Sequence, residues 1–246
     1  MHPFLIALQF LTRLPIRTQG EWDEKKIAKS VLYYPLVGGM IGALLWFSGN
    51  ILSDFSPMLV AAVLLLLWVL ISGGLHLDGL ADSADAWAGG YGDKQRSLDI
   101  MKDPAAGPFA VVVLVLLLLL KFSALSVLVE NKQFYLLMMA PVFGRLSVVV
   151  LFLTTTYVRE NGLGDAMAKY LNRRHSYVVM ALTTVCCLWL FSITTTMLVI
   201  ASAFISLYAL RYLMMQRLGG MTGDTIGASL EITETISIFV LALVIA

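Results

Sequence analysis

The sequence predicts an all-α fold, a polytopic transmembrane helical bundle, and three observations carry that expectation. Of the 246 residues, 59% are hydrophobic and only 13% charged, against about 25% charged in an ordinary soluble domain. Several stretches approach the ~20 apolar residues that cross a hydrocarbon core. Basic residues are also distributed unevenly, crowding some loops and missing from others.

Taken in order, "MHPFLIALQFLTRLPIR" is apolar for about ten residues before Arg13, Pro15 and Arg17. It has neither a basic start nor a small-residue cleavage site, so a short interfacial or re-entrant helix is expected, not a removed leader. Hydropathy then places spans near 31–53, 57–77, 105–129, 134–156, 177–198 and 199–215, with a short apolar segment at 235–246. That makes six or seven spans in a single integral membrane domain covering 1–246. The pair around "SITTTM" is separated least.

Sidedness follows from the basic residues. Arg13, Arg17, Lys25, Lys26 and Lys29 precede the first span, and the 50–57 turn has none. Lys94, Arg96 and Lys102 lie in loop 78–104, but only Lys132 near 130. Arg159, Lys169, Arg173 and Arg174 fill loop 157–176, and Arg211 and Arg217 mark the next basic end. This alternation predicts a cytoplasmic N-terminus. The acidic segments 73–104 and 219–234 then fall on the cytoplasmic side, where nucleotides are found.

Net charge is +1, so no basic field recruits nucleic acid. Cys186 and Cys187 are adjacent in an apolar run and read as packing residues. The three histidines form no HExxH, which leaves a zinc protease unsupported.

The polar chemistry is concentrated in two places. In "SGGLHLDGLADSADAW" (72–87), a helix puts Asp82 about 40° and Asp85 about 20° from Asp78, so all three share one stripe. Clustered carboxylates disfavour one another's ionisation, and a cation relieves this. Oxygen-only donors favour Mg²⁺, Mn²⁺ or Ca²⁺, and Mg²⁺ characteristically shares its shell with substrate phosphates. The plainer reading is a solvated amphipathic helix. Gly73, Gly74 and Gly79 either let backbone approach a phosphate or serve packing. His76 lies on the other side of the helix and is expected to make a local hydrogen bond.

In "LGGMTGDTIGASLEITE" (218–234), Asp224 and Glu231 are seven apart on one helical face, Glu234 is a turn further, and Thr222 and Thr225 add hydroxyls. Two such segments suit a two-metal or metal-plus-base site. Between them, Arg96 and Lys102 can neutralise a diphosphate, with Asp103 as an additional ligand; an ordinary charged loop is the alternative. Arg145 is in mid-span, where it contacts either substrate phosphate or a buried acid. Lys121 can snorkel. "GGLHLDGLADSAD" (73–85) and "GGMTGDTIGASLE" (219–231) also share a frame of paired glycines, an aspartate and a second acid seven residues on. That frame predicts two copies of one element converging on one cavity.

These segments carry a resemblance. With "FLTRLP" (10–15), "YYPLVGG" (33–39), "GGLHLDGLADSADAW" (73–87), "RSLDIMKDPAAGP" (96–108), "VRENGLG" (158–164) and "GGMTGDTIGASLEITE" (219–234), the chain resembles the cobalamin synthase family, the adenosylcobinamide-GDP ribazoletransferases, along essentially its whole length. The resemblance implies a magnesium-dependent enzyme of the bacterial inner membrane. It would join adenosylcobinamide-GDP to α-ribazole or its 5′-phosphate and release GMP, a late step in nucleotide-loop assembly.

On this reading Asp78, Asp82, Asp85, Asp224, Glu231 and Glu234 are candidate Mg²⁺ ligands, with Asp82 or Asp85 catalytic. Gly74, Gly79, Arg96, Lys102, Arg145, Thr222 and Thr225 are candidate substrate contacts. The expected partners are the two small-molecule substrates and the lipid bilayer, with no nucleic acid; a homo-oligomer or association with other late cobalamin-pathway enzymes is compatible with this reading. Two alternatives are weaker. A CDP-alcohol phosphotransferase needs D-G-x₂-A-R, whereas here one residue separates Gly79 from Ala81 and Asp82 stands where the Arg belongs. A divalent-cation transporter would place its acids in mid-span.

Overall fold

The computed structural model describes residues 2–16, 23–159 and 163–245. Arg17 and residues 160–162 of the "VRENGLG" segment lie outside them. Helix follows helix: α1 (Pro3–Leu11), α2 (Glu24–Ser30), α3 (Tyr34–Ile51), α4 (Pro57–Ser72), α5 (Leu75–Gly89), α6 (Lys94–Ile100), α7 (Pro108–Glu130), α8 (Met139–Thr154), α9 (Leu163–Tyr170), α10 (Arg173–Leu190), α11 (Ile193–Leu218) and α12 (Gly223–Ile245).

Among the described residues, five helices are long and apolar enough to cross a membrane: Glu24–Ile51, Pro108–Glu130, Phe134–Thr154, Ile193–Leu218 and Gly223–Ile245. The bent pair α4–α5 brings the number to six, the lower of the two counts expected. α10 falls outside it because its first turn is Arg173, Arg174 and His175. The N-terminal segment is a short helix, as expected, burying Ile6, Ala7, Leu8 and Leu11.

Two boundaries differ from the hydropathy reading. The α10–α11 break falls at Phe191–Ser192, where the Ser192 hydroxyl accepts from the Thr195 amide at 3.1 Å. More consequentially, the last helix begins at Gly223, not near 235. The acidic stretch 224–234 is therefore the first half of a spanning helix.

α8 forms the centre, packed against α3 on one side and α12 on another. The α3–α8 approach is close because Gly38 and Gly42 are glycines. A Cβ at Gly42 would lie 2.5 Å from the Met138 Cα, and one at Gly38 would overlap the Pro141 carbonyl.

α5 leaves the direction of α4 by 88°. The turn is made by two consecutive left-handed residues, Gly73 (φ 69°) and Gly74 (φ 72°), a conformation that costs other residues roughly 1–2 kcal/mol each. α4, sixteen residues long, covers about 24 Å of the ~30 Å hydrocarbon core. Of the α5 aspartates, Asp78 is exposed, and Asp82 and Asp85 are half-buried. On its inner side α5 packs most extensively against α12. Contact is close because a Cβ on Gly79 would come within 2.7 Å of the Asp224 carbonyl oxygen, and one on Gly227 within 3.2 Å of the His76 Cα.

Candidate active site

The N-terminus of α12 is built by local chemistry. Gly219, with φ 72°, ends α11 in the left-handed conformation. Gly220 has no room for a side chain, because a Cβ would overlap the Thr156 carbonyl. That closeness lets the extended segment after α8 bridge to the approach to α12: the Met221 amide donates to the Thr156 carbonyl at 2.8 Å, and the Val158 amide to the Met221 carbonyl at 3.0 Å. Thr222 and Thr225 then form a reciprocal cap. The Thr225 amide donates to the Thr222 hydroxyl at 3.3 Å, and the Thr222 amide to the Thr225 hydroxyl at 2.9 Å. Both threonines are fully buried. Expected as substrate contacts, they instead make the helix terminus that carries Asp224.

Asp224 meets α5 across a cavity of about 290 Å³. His76, Asp78 and Gly79 line it from α5; Gly223, Asp224 and Gly227 from α12; Tyr157 and Arg159 from the bridging segment. The two acidic segments thus share one cleft, as expected. They are not copies of one backbone, however. Gly74 is left-handed and Leu75–His76 already helical, whereas Gly220 is not left-handed, Met221 bridges Tyr157, and helix starts only at Gly223. The repeat fails over those residues.

Asp82 lies one turn along α5 from Asp78. Its carboxyl is pushed up to about 6, first by partial burial and then by the charges of Asp78, Asp224 and Asp85, with Arg159 opposing. Asp85 is differently placed. Its two oxygens accept from the Gly107 amide at 2.5 Å and the Ala110 amide at 2.9 Å. It therefore caps α7 and ties α5 to it, a correction to its reading as ligand or base.

Glu231, Glu234 and Arg145 also require correction. All three are buried. Lys121 donates to Glu231 at 2.9 Å and to Glu234 at 2.8 Å, and Arg145 donates to Glu234. The Lys121 ammonium stands 4.1 Å above the Trp68 ring. Two acids and two cations thus neutralise one another inside the bundle, where a lone charge would be very costly. The glutamates are structural, not metal ligands. Arg145 is their partner, not a phosphate contact, and Lys121 does not snorkel. His76, beside this cluster, has no hydrogen-bond partner on either ring nitrogen, contrary to expectation.

Gly79 lets α5 approach α12 closely and also lines the cavity. Gly74 serves the bend, although a Cβ there would meet open space. Arg96 and Lys102 are exposed beyond α5. Arg96 lies over the Tyr91 ring at 5.2 Å, and Lys102 pairs with Asp99 at 3.6 Å. Asp103 makes a local turn, accepting from the Ala105 amide at 2.9 Å. Arg159 was counted in the sequence only as a loop charge, yet it faces the cavity with its Nη1 3.3 Å from Asp224 Oδ2.

The donors left are Asp78 and Asp224 at the cleft, with Asp82 one turn further along α5. They offer carboxylate oxygen alone, the chemistry that suits Mg²⁺. Among the described residues no three His, Cys, Asp or Glu side chains converge closely enough to enclose a metal by themselves. Mg²⁺ does not need that, since it takes one or two carboxylates and completes its shell with water and phosphate. The unrelieved negative field at Asp82 fits a cation as well.

Fold and site together define a multi-pass membrane protein with a carboxylate-rich cleft beside an ion-paired core. Residues 3–242 match the cobalamin-5-phosphate synthase family, and the chain belongs to that family. It is similar to proteins named adenosylcobinamide-GDP ribazoletransferase. The one from Stutzerimonas stutzeri (strain A1501) is 52% identical over 243 residues, covering 99% of this chain and 98% of that protein. The one from Pseudomonas syringae pv. syringae (strain B728a) is 52% identical over 245 residues, 99% and 100% respectively. The one from Pseudomonas putida (strain GB-1) is 51% identical over 243 residues, 99% of each. No solved structure matches the chain.

Proposed function

We propose that this chain is a membrane-bound phosphotransferase that joins adenosylcobinamide-GDP to α-ribazole, or to its 5′-phosphate, and releases GMP. The observation that carries the chemistry is the meeting of Asp78 and Asp224, from two separate helices, at one cavity with Asp82 a turn away. The substrates come from the names of its relatives. The site is read as facing the cytoplasm of the inner membrane, in keeping with the alternation of basic loops.

In the reaction, a ribose hydroxyl oxygen forms a bond to the cobinamide-bearing phosphorus. The bond from that phosphorus to the bridging oxygen breaks, and its electron pair leaves with GMP. Asp78 and Asp224 would hold Mg²⁺ between the two helices. When bound, the ion neutralises diphosphate charge and stabilises the leaving oxygen. Asp82 takes the hydroxyl proton. A carboxylate held near 6 is a better base at neutral pH than an ordinary aspartate and is still mostly ionised. Asp85 keeps α5 seated on α7 so that these groups stay in register. A divalent-cation path would need free acids in mid-membrane, but Glu231 and Glu234 are committed to Lys121 and Arg145.

The test is GMP release from adenosylcobinamide-GDP and α-ribazole by purified protein in liposomes, with Mg²⁺ and with excess EDTA, alongside ion flux in the same vesicles. Release that requires Mg²⁺, and a rise of at least tenfold in the Mg²⁺ needed by Asp78→Asn and Asp224→Asn, is the expected result. Metal-independent release, or flux without release, contradicts the reading.

A further inference from the structure

The cleft that holds the carboxylates also holds a cation with unused hydrogen-bonding capacity. Arg159 lines the same cavity as Asp78 and Asp224. Its Nη1 faces Asp224, while Nε and Nη2 are buried and have no hydrogen-bond partner among the described residues. Leaving buried donors unpaired is costly, so an acceptor belongs there. The backbone that leads to the guanidinium is held in place. Its chain segment is pinned to the start of α12 through the Val158–Met221 and Met221–Thr156 hydrogen bonds.

Several other basic residues of the described chain are committed elsewhere. Arg145 is paired with Glu234 in the core. Arg173 donates to the Leu153 carbonyl at 3.1 Å, and Arg211 to the Thr154 carbonyl at 2.8 Å, so both cap α8. Arg96 and Lys102 lie on the exposed segment beyond α5.

We infer that Arg159 grips the diphosphate of the nucleotide-activated substrate through its two free donors, with Asp224 orienting the guanidinium from behind. This rests on the phosphoryl-transfer reading above. The planar fork of an arginine matches two phosphate oxygens at once, which a lysine does not. The carboxylates suited to a divalent cation and the positive fork stand side by side at one cavity, so that the diphosphate meets both. As the bridging bond breaks, charge grows on the oxygen leaving with GMP, and a donor already aimed at the diphosphate stabilises it without rearrangement.

The experiment uses full-length protein in nanodiscs, with Arg159→Ala, Arg159→Lys and Arg159→Gln. Inorganic pyrophosphate is the binding probe, scored by displacement of a fluorescent GDP analogue in the presence of Mg²⁺. Arg159→Ala should lower kcat/KM for adenosylcobinamide-GDP by roughly 100- to 1,000-fold and weaken pyrophosphate binding at least tenfold, while KM for α-ribazole stays unchanged. Added guanidinium should restore part of the Arg159→Ala activity and none to Asp82→Asn. Arg159→Lys should recover less than guanidinium does.

A wild-type protein that neither releases GMP nor binds pyrophosphate overturns the underlying reading. An active wild type with unchanged pyrophosphate affinity in Arg159→Ala overturns the assignment of Arg159 alone. If Arg159→Ala fails to fold, Arg159→Gln decides the matter by the same pyrophosphate measurement.

Discussion

Asp82 and Glu231 are acids facing the same pair of packed helices, and their surroundings give them opposite characters. Glu231 is buried with Lys121 at 2.9 Å. Asp82 is half-exposed among three other carboxylates, and its carboxyl rises from 3.8 to about 6. For an acid whose pKa is higher in the folded protein, the stability it contributes is complete below about pH 3.8 and is lost as pH rises through about 6. In metal-free buffer at pH 7.5, Asp82→Asn should therefore melt at a higher temperature than wild type. The difference should shrink toward pH 4, and turnover should be lost at every pH. A melting temperature that falls at pH 7.5 would show that Asp82 is not held in a repulsive field. The sequence made these acids visible, because carboxylates stand out in a chain of mean hydropathy +0.84. It did not show which acid meets which cation. Lys121 and Glu231 are 110 positions apart, and no local spacing encodes such a pair.

At the scale of elements, hydropathy found the apolar bodies of the helices and misjudged an end. The start of α12 was hidden because three acids and hydroxyl-rich turns lower hydropathy as a loop would. Only ion pairing across the bundle makes such a segment tolerable inside it. The same pairing joins elements. Lys121 ties α7 to α12, and Arg145 ties α8 to α12. Breaking a buried pair from one side leaves an uncompensated charge and costs about 3–5 kcal/mol. Lys121→Met and Glu231→Gln should each lower stability by that order, and the double variant should lose less than either single variant, since Arg145 and Glu234 still balance. Thermal melts of the three proteins in one detergent check this; additive losses would mean the residues are not coupled. The Thr222–Thr225 cap was present in the sequence as a spacing, but its hydroxyls were taken for substrate groups. A hydroxyl beside an aspartate reads alike in either role until its burial is known.

At the scale of the whole molecule, the helical membrane architecture was legible from composition, and the family from its motifs. The convergence of 73–85 with 219–231 on one cleft was legible as well. The 88° turn between α4 and α5 was not, because paired glycines permit many angles and packing selects one. Orientation is a whole-molecule property with a direct check. In a background lacking Cys186 and Cys187, a cysteine at exposed Gln95, beyond the acidic helix, should react with impermeant maleimide only when the inner face is opened. One at exposed Asp54, between α3 and α4, should label from outside. The reverse pattern would place the cleft on the wrong side for nucleotide.

The four-charge core also bears on how the protein is made. α7 and α8 are synthesised before α12, so Lys121 and Arg145 enter the bilayer ahead of Glu231 and Glu234. Insertion of a basic residue at a helix centre costs about 2.5–3.5 kcal/mol. The Trp68 ring face beside Lys121 gives that ammonium an interim companion. Until α12 docks, the nascent bundle carries two cations awaiting counter-ions. Docking of that helix neutralises the interior and brings Asp224 to Asp78 in the same step, so core and cleft are completed together.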